Sequence, residues 1–358
     1  MSASGIEWTE STWNPTTGCD RISPGCDHCY ALALAKRLKA MGSAKYRVDG
    51  DPRTSGPGFG VTVHPRVMDE PLCWRTPRRV FVNSMSDVGH VHVSSVALAR
   101  IWAVMALTAR HEYQVLTKRP RRLAKMLADR DFVAAVAREA TEIIARTPAH
   151  LGRWRLDLGG ARVAGDSGRG CRWTIIKADR DNLWSPPWPL PNVWVGTSIE
   201  SDDYCWRADV LRAIPAAVRF LSLEPLLGPL TSLDLTGIDW VIVGGESGPR
   251  ARPMDLKWAR LLRDQCAAAG VAFYFKQAGS VLARQWGCSG KGAEPSDWPE
   301  PFPRQFPEVS CWPSIDRLST LNVVAAESAG TGPATRISGG LRVSCAGTRA
   351  LSCDHPGV

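Results

Sequence analysis

Residues 193–200, VWVGTSIE, show the pattern that decides the fold: a short apolar run, Val193 to Val195, ends abruptly in a polar cluster that begins with glycine. A run of this kind, rich in β-branched and aromatic residues, is typical of a strand that is buried on both faces of a parallel sheet. Five other runs end in the same way, and they are Val80 to Val82 before NSMSD, Tyr113 to Leu116 before TKRP, Arg219 to Leu223 before EPLLG, Trp240 to Val243 before GGESG, and Val271 to Phe275 before KQAG. The sequence therefore predicts several buried parallel strands.

Helical patterns separate many of these strands, and they cover Ser94 to Ala109, Tyr204 to Ala213 and Asp255 to Ala269. This alternation predicts an α/β architecture. With an opening strand near Ile6 to Trp8 there are about seven strands, and Gly60 to His64 is a further candidate. That number suits a (β/α) barrel or an open doubly wound sheet, but no Gly-x-Gly-x-x-Gly segment follows the first strand. We therefore expect a (β/α) barrel, complete or partial and TIM-barrel-like.

Two stretches interrupt the alternation. Residues of about 130–190 contain an alanine-rich helical pattern and then Gly-, Pro- and Trp-rich segments, which indicate an insertion between two main strands. Residues 280–358 lose periodicity and become rich in Pro, Ser, Thr and Gly. We expect a barrel catalytic domain over residues 1–279 and an irregular, partly disordered tail over residues 280–358.

The composition indicates a soluble protein with an anionic partner. The 358 residues carry a formal net charge of +9, which favours nucleic acid or phosphate. The N-terminus lacks the pattern of a secretory signal, and no stretch is long and apolar enough to span a membrane, so we expect a cytoplasmic location without membrane association. In that reducing compartment the eleven cysteines favour metal ligands or buried small residues over disulfides.

Three of these cysteines lie close together. Cys19, Cys26 and Cys29 form a Cys-x6-Cys-x2-Cys loop that precedes a helical pattern opening near Tyr30. Three interpretations are open: structural thiols, a zinc site completed by His28 or by a distant cysteine such as Cys73, and an iron–sulfur cluster with one iron free for a substrate. We favour the cluster, because only three thiolates are provided and the Gly- and Pro-containing loop can fold around a compact object.

The cysteine loop resembles that of the radical S-adenosylmethionine (SAM) superfamily, although its first interval is longer than the usual Cys-x3-Cys-x2-Cys. The chain is also similar over about residues 5–279, the insertion excepted, to an uncharacterised phage-type family of three-Cys-motif proteins. The blocks that carry this similarity are WNPTTGCDRISPGCDHCYA, FVNSMSD, VLTKRP, VWVGTSIE, LSLEPLLGPL, WVIVGGESGPRARPMD and FYFKQAG. The resemblance implies a [4Fe-4S] cluster on Cys19, Cys26 and Cys29, bound SAM, an external electron donor and a separate three-Cys-motif partner protein.

Polar side chains follow nearly every predicted strand, and in a barrel such positions converge on one mouth. They are Asn83, Ser84, Ser86 and Asp87; Lys118 and Arg119; Ser198 and Glu200; Glu224; Glu246 and Ser247; and Lys276 and Gln277. Taken singly, each is most simply a solvated loop residue or a helix cap. Their repetition at the ends of six strands predicts one shared site.

The resemblance also implies roles for these residues. Ser84, Ser86 and Asp87 occupy the place of the segment that contacts the SAM amino group, and His28 occupies the place of an aromatic residue near adenine. Lys118 begins a basic run that could bind a carboxylate or phosphates. The expected roles of Glu200, Glu224 and Glu246 are to position the substrate or the SAM ribose, or to move protons.

The leading hypothesis is therefore a radical-SAM-type iron–sulfur enzyme that cleaves SAM reductively to a 5'-deoxyadenosyl radical. Its substrate is not identified by the sequence, and the basic charge balance favours a nucleic acid or nucleotide. The alternative is a zinc-stabilised phage-type nucleic-acid-binding protein without redox activity. Iron and zinc analysis separates the two hypotheses.

Overall fold

The computed structural model of the protein describes residues 4–146, 174–178, 181–288 and 290–308. Within them the strands are β1 (Ser11–Thr12), β2 (Thr16–Thr17), β3 (Thr62–Val63), β4 (Arg79–Val82), β5 (Glu112–Thr117), β6 (Thr174–Ala178), β7 (Asp181–Ser185), β8 (Val193–Ser198), β9 (Val218–Leu223), β10 (Trp240–Gly244) and β11 (Ala272–Gln277). Seven strands form one sheet in the order β1-β4-β5-β8-β9-β10-β11. Every neighbouring pair in this sheet is parallel, whereas β2–β3 and β6–β7 are separate antiparallel pairs.

The α-helices are α1 (Tyr30–Ala40), α2 (Pro65–Met68), α3 (Ser95–Leu107), α4 (Pro120–Leu127), α5 (Arg130–Arg146), α6 (Trp206–Arg212), α7 (Leu256–Ala269) and α8 (Ser280–Gln285). Short 3-10 helices cover Pro24–Cys26, Ala44–Tyr46, Glu70–Cys73, Asp202–Tyr204 and Pro295–Asp297. Helices α3 and α7 begin with side-chain caps: the Ser94 hydroxyl accepts from Ala97 N, and the Asp255 carboxylate accepts from Lys257 N. The architecture is α/β with a parallel sheet.

The prediction of a (β/α) barrel is wrong, because the sheet is strongly curled but open. Its first strand, β1, has only two residues and pairs with β4, and the last strand, β11, pairs with β10. The outer edge of β11 is covered by a returning segment: Phe275 N donates to Pro303 O and Gln305 N donates to Phe273 O, both at 2.9 Å. These backbone groups are the ones a closing strand would need. The TIM-barrel-like expectation is therefore replaced by an open sheet.

Two strand predictions also change. Residues 6–8 are not a strand, and β1 begins only at Ser11. The further candidate at Gly60 to His64 contributes β3, which pairs with β2 outside the main sheet. The β2–β3 pair lies beside the cysteine loop, since Gly60 packs against Gly18, so it shapes the surroundings of that loop rather than the sheet.

The two faces of the sheet are packed differently. The outer face belongs to the main core with the helices, and Val115, Val195 and Val241 are fully or almost fully buried there. The inner face is concave and carries an aromatic cluster formed by Trp8, Phe81, Trp194, Phe220, Trp240 and Tyr274. Gly196 is required beneath this cluster, because an added Cβ would lie 2.5 Å from the Phe220 ring.

Phe306 closes the amino end of the concave face. Its ring centroid lies 5.0 Å from that of Trp240 on β10, and the Arg79 guanidinium of β4 lies 4.3 Å from the same ring. The Tyr274 hydroxyl donates to Glu7 O at 2.7 Å, so the N-terminal segment also crosses this end. The aromatic cluster therefore fills the amino ends of the strands.

Part of the stretch predicted to be an irregular tail is packed on the sheet. Residues 280–288 and 290–308 contain α8, and Trp298 and Phe302 are buried against Phe275 with ring centroids 4.8 and 4.4 Å away. Residues 309–358 lie outside the described residues. Of the predicted insertion over about 130–190, residues 147–173 and 179–180 lie outside them as well.

None of the helices that the structure describes is both long and apolar enough to cross a bilayer.

Candidate functional site

A cavity of about 140 Å³ lies at the carboxyl end of the concave face. All three cysteines of the loop line it, and so do Ser84, Ser86, Asp87, Lys118, Arg119 and Ser198. Side chains that are up to 179 residues apart in the chain thus meet at one place, since Cys19 and Ser198 share the cavity. In the described residues, no three His, Cys, Asp or Glu side chains are arranged to bind a single metal ion.

Gly18 sets the start of the cysteine loop. Its φ is +90°, and an added Cβ would lie 2.2 Å from Gly60 O, so only glycine fits. Gly18 N donates to Met85 O at 2.9 Å, which ties the loop to the segment after β4. Cys19 is thereby placed beside the ends of the strands.

Cys19 receives a charged hydrogen-bond donor. Arg119 Nη1 lies 3.1 Å from Cys19 Sγ and 3.1 Å from Asp87 Oδ2, and Arg119 Nη2 donates to Asp20 O at 2.8 Å. Burial and the Asp87 charge raise the pKa of the Cys19 thiol to about 12, against the lowering effect of Arg119. The unligated sulfur is therefore a neutral thiol.

In the described residues, Cys26 and Cys29 receive neutral hydrogen-bond donors. Cys26 ends the 3-10 turn Pro24–Cys26, and its Sγ lies 3.8 Å from Ser23 Oγ. Cys29 precedes the first residue of α1; burial raises its pKa, while the amides of Ala31 and Leu32 lower it. The three sulfurs thus differ in the groups that donate to them.

Ser84 and Ser86 line the cavity while joining β2 to the end of β4. Ser84 Oγ accepts from Asn14 Nδ2 at 2.9 Å. Ser86 Oγ lies 2.7 Å from Thr16 Oγ1 and accepts from Asn83 Nδ2 at 2.8 Å. Both hydroxyls line the same cavity, and each is held in place by a residue 70 positions earlier in the chain, Asn14 for Ser84 and Thr16 for Ser86.

Asp87 is almost completely buried and its carboxylate is fully engaged. Oδ1 accepts from Thr117 Oγ1 at 2.5 Å and from Gly89 N at 2.8 Å, whereas Oδ2 accepts from Lys118 N at 3.0 Å and from Arg119. The carboxylate therefore organises the segment after β5. Among the described residues the Lys118 ammonium itself makes no hydrogen bond or ion pair, although it lines the cavity.

His28 and Glu246 lie together at the other side of the cysteine loop. His28 Nδ1 is 3.1 Å from Glu246 Oε2, and Arg252 donates to both carboxylate oxygens. Burial would raise the pKa of Glu246, but the hydrogen bonds from Arg252 and His28 hold it at about 2. Arg252 Nη2 also donates to Pro24 O at 2.9 Å, so this ionised pair clamps the loop.

Glu200 is completely buried and lies against the backbone of the same loop. Its Oε2 lies 3.0 Å from Arg207 Nη1, and the guanidinium is also buried, with 1% of the side chain exposed. Glu200 Oε1 is 3.5 Å from Gly25 N, between Cys19 and Cys26 in the chain. The carboxylate thus supports the backbone of the loop through a buried ion pair.

Glu224 belongs to a different group of residues. Both of its oxygens lie 2.7 Å from Lys276 Nζ, and Oε1 also accepts from Gln277 Nε2 at 2.9 Å. The pair is partly exposed, with 20% of the Glu224 side chain and 12% of the Lys276 side chain accessible. The four residues predicted to be catalytic are therefore distributed over the cavity, the loop clamps and this separate ion pair.

Sequence reasoning missed the arginines that hold the loop. Arg119 was grouped with a basic run, and Arg207 and Arg252 were given no role at the cysteines. The signal that was present in the sequence is the position of Arg119 two residues after the end of β5, beside a buried strand end. Its direction toward Cys19 depends on Asp87, which follows a different strand.

A family model described as a protein of unknown function (DUF5131) matches residues 3–327 of the chain. No curated protein matches the chain, and no solved structure does. The matched region contains the cysteine loop, the whole parallel sheet and every residue that lines the cavity.

Proposed function

Because the chain belongs to the DUF5131 family of unknown function, we propose from its own residues that it is a radical-SAM-type iron–sulfur enzyme. One observation carries the proposal: Cys19, Cys26 and Cys29 line the same cavity as Lys118, at the carboxyl ends of parallel strands. Three thiols beside a lysine whose ammonium has no ion pair in the described residues suit a cluster whose fourth position takes an anionic group of a substrate.

Three thiols on one cavity are the protein ligands that a [4Fe-4S] cluster with one free iron takes, whereas a structural zinc site closes with four. In a [4Fe-4S] cluster each thiolate binds a different iron, so the three sulfurs lie around a larger object. Their common cavity of about 140 Å³ is consistent with this geometry.

When bound, a reduced [4Fe-4S] cluster of this type supplies the electron that cleaves SAM to a 5'-deoxyadenosyl radical. The chain's own residues bind and orient the reactants. Lys118 binds the SAM carboxylate or a substrate phosphate, since it lines the cavity and its ammonium is unpaired in the described residues. The Ser84 and Ser86 hydroxyls accept from the SAM ammonium group, because a hydroxyl oxygen has a second acceptor site.

The remaining predicted residues support this arrangement. By the resemblance His28, which Glu246 holds, would lie near the adenine of SAM, and Glu200 fixes the loop backbone from the buried side. Glu224 and Lys276 form a polar pair that is accessible to a substrate. Asp87 acts by holding Arg119 rather than by contacting SAM, because its carboxylate already accepts four hydrogen bonds.

The proposed partners follow from the same resemblance and from charge. An external electron donor must reduce the cluster, and similarity to phage-type three-Cys-motif proteins suggests a separate three-Cys-motif partner protein. The net charge of +9 favours a nucleic acid or nucleotide as the substrate.

The test is anaerobic loading of the full chain with iron and sulfide. We expect about four irons per chain, an EPR signal after reduction that changes when SAM is added, and formation of 5'-deoxyadenosine. A colourless protein that retains one zinc per chain and forms no 5'-deoxyadenosine would instead support the zinc-stabilised binding protein and refute the enzyme.

Single replacements identify the ligands. Cys19→Ala, Cys26→Ala and Cys29→Ala should each lose the cluster. Cys266→Ala is the matched control, because Cys266 is fully buried in α7 and does not line the cavity. If Cys266→Ala loses iron as the other three do, the ligand assignment is wrong.

A further inference from the structure

Within the part of the chain that the structure describes, the three cysteines receive different hydrogen-bond donors, and only Cys19 receives a charged one. Arg119 Nη1 lies 3.1 Å from Cys19 Sγ. Cys26 has the Ser23 hydroxyl at 3.8 Å, and Cys29 has the first amides of α1. A charged donor stabilises a thiolate more than a neutral donor does, so any cluster held here would be electronically asymmetric.

The position of Arg119 is set independently of the sulfur. Asp87 is 6% exposed, and three donors besides Arg119 occupy its carboxylate, namely Thr117 Oγ1, Gly89 N and Lys118 N. The carboxylate cannot turn without breaking these bonds, so it holds Arg119 Nη1 at 3.1 Å. The bond from Arg119 Nη2 to Asp20 O adds a second point of attachment next to Cys19.

We infer that Arg119 is a positioning residue that orients Cys19 as a ligand and raises the reduction potential of the cluster. The inference rests on the proposed function. A hydrogen bond to a ligating sulfur withdraws negative charge from the cluster and favours its reduced state. The guanidinium of Arg119 would withdraw charge in this way at the sulfur of Cys19.

The test compares Arg119→Gln, Arg119→Lys and Arg121→Gln in the full chain loaded with iron and sulfide. Arg121 is the matched control, because it is a neighbouring cation whose guanidinium stacks on Trp206 at 4.2 Å from the ring centroid. The readouts are iron and sulfide content and the midpoint potential from an EPR-monitored redox titration.

We expect the midpoint potential of Arg119→Gln to be more negative than that of the wild type, with Arg119→Lys between them and Arg121→Gln unchanged. A merely structural role for Arg119 would lower the iron content but leave the potential of the remaining cluster unchanged. An Arg119→Gln protein with the wild-type potential overturns the inference.

A second measurement separates this inference from the proposed function. In the metal-free chain, the rate at which iodoacetamide alkylates Cys19 is measured by mass spectrometry for the same variants. Loss of the guanidinium that favours the Cys19 thiolate should slow this alkylation in Arg119→Gln at a fixed pH, whereas an unchanged rate opposes the inference. If the wild type takes up no iron and sulfide, the proposed function fails, but the alkylation rates still test the hydrogen bond.

Discussion

The two ends of the concave face use the same strands for different purposes. On β8, Trp194 and Ser198 lie on one face because they are four residues apart in a strand. Trp194 packs against Trp240 at a centroid distance of 5.7 Å, whereas Ser198 lines the cavity with the cysteines. Aromatic packing at the amino end thus supports a polar, cysteine-lined opening at the carboxyl end.

The residues that stabilise the fold therefore lie mainly at the amino ends of the strands, and the residues that could carry chemistry lie at the carboxyl ends. Deleting a side chain at the aromatic end removes packing, while deleting one that lines the cavity removes a ligand or a charge. The exception is the buried ion pair of Glu200 and Arg207 beside the cysteine loop. It lies at the cysteine-lined end, but we expect its loss to lower stability as strongly as the loss of a core side chain.

The largest expected effect is at the aromatic end. Trp240→Ala removes a fully buried ring that contacts Trp8, Trp194, Phe220, Tyr274 and Phe306. We expect the free energy of unfolding to fall by about 3–5 kcal/mol, measured by urea denaturation. A loss below about 1 kcal/mol would mean that this end is not the core of the concave face.

Glu200→Gln tests whether a residue at the cysteine-lined end also contributes to the stability of the fold. The change leaves Arg207 buried without its counter-charge, so we expect the free energy of unfolding to fall by about 3 kcal/mol. Asp209→Asn is the control, because Asp209 pairs with Arg212 at an exposed position on the same helix. Equal, small losses in both variants would contradict a structural role for the buried pair.

The free energy of unfolding should depend on pH through His111, which lies directly before β5. His111 is fully buried, and burial, followed by the charges of Arg110 and Arg78, lowers its pKa to about 3. The unfolded chain binds this proton near pH 6.5, so stability is lost as the pH falls below that value. On this basis His111 alone costs on the order of 2 kcal/mol between pH 7 and 5.

Glu112 changes the stability in the opposite direction as the pH varies, so its contribution must be separated from that of His111. Burial raises the pKa of Glu112 to about 7, so its contribution to stability is present below about pH 4.5 and is lost as the pH rises through 7. Comparing His111→Phe with the wild type in urea at several pH values isolates the histidine, since both proteins retain Glu112. Parallel pH profiles for the two proteins would rule out His111 as the source.

The smallest effect on folding is expected at the cavity. Cys19→Ala deletes one sulfur and its hydrogen bond from Arg119, so metal-free protein should lose only about 1 kcal/mol of stability or less. The same variant should lose the iron–sulfur cluster. A large loss of stability in the absence of metal would show that the two ends are not divided as the packing indicates.

Some of the fold and site follows from local patterns. The ends of the apolar runs predicted the positions of β4, β5 and β8 to β11 within a few residues, because a buried strand and its polar end are encoded by neighbouring residues. The same reasoning placed Ser84, Ser86 and Lys118 near one another, and the cavity brings them together with the cysteines. Closure of the sheet was predicted wrongly, because it depends on which segment covers the edge of β11.

The sequence by itself determined the parallel strands, their polar ends and the glycine-bounded loop with three cysteines, since each is a short-range pattern. Only the tertiary structure decided that Pro303 and Gln305 occupy the edge of the sheet, that Glu200 is buried on Arg207, and that Arg119 reaches Cys19 across 100 residues of chain. The physical reason is that the role of a charged or edge group depends on its partner and its burial. Both are set by residues that are far away in the sequence.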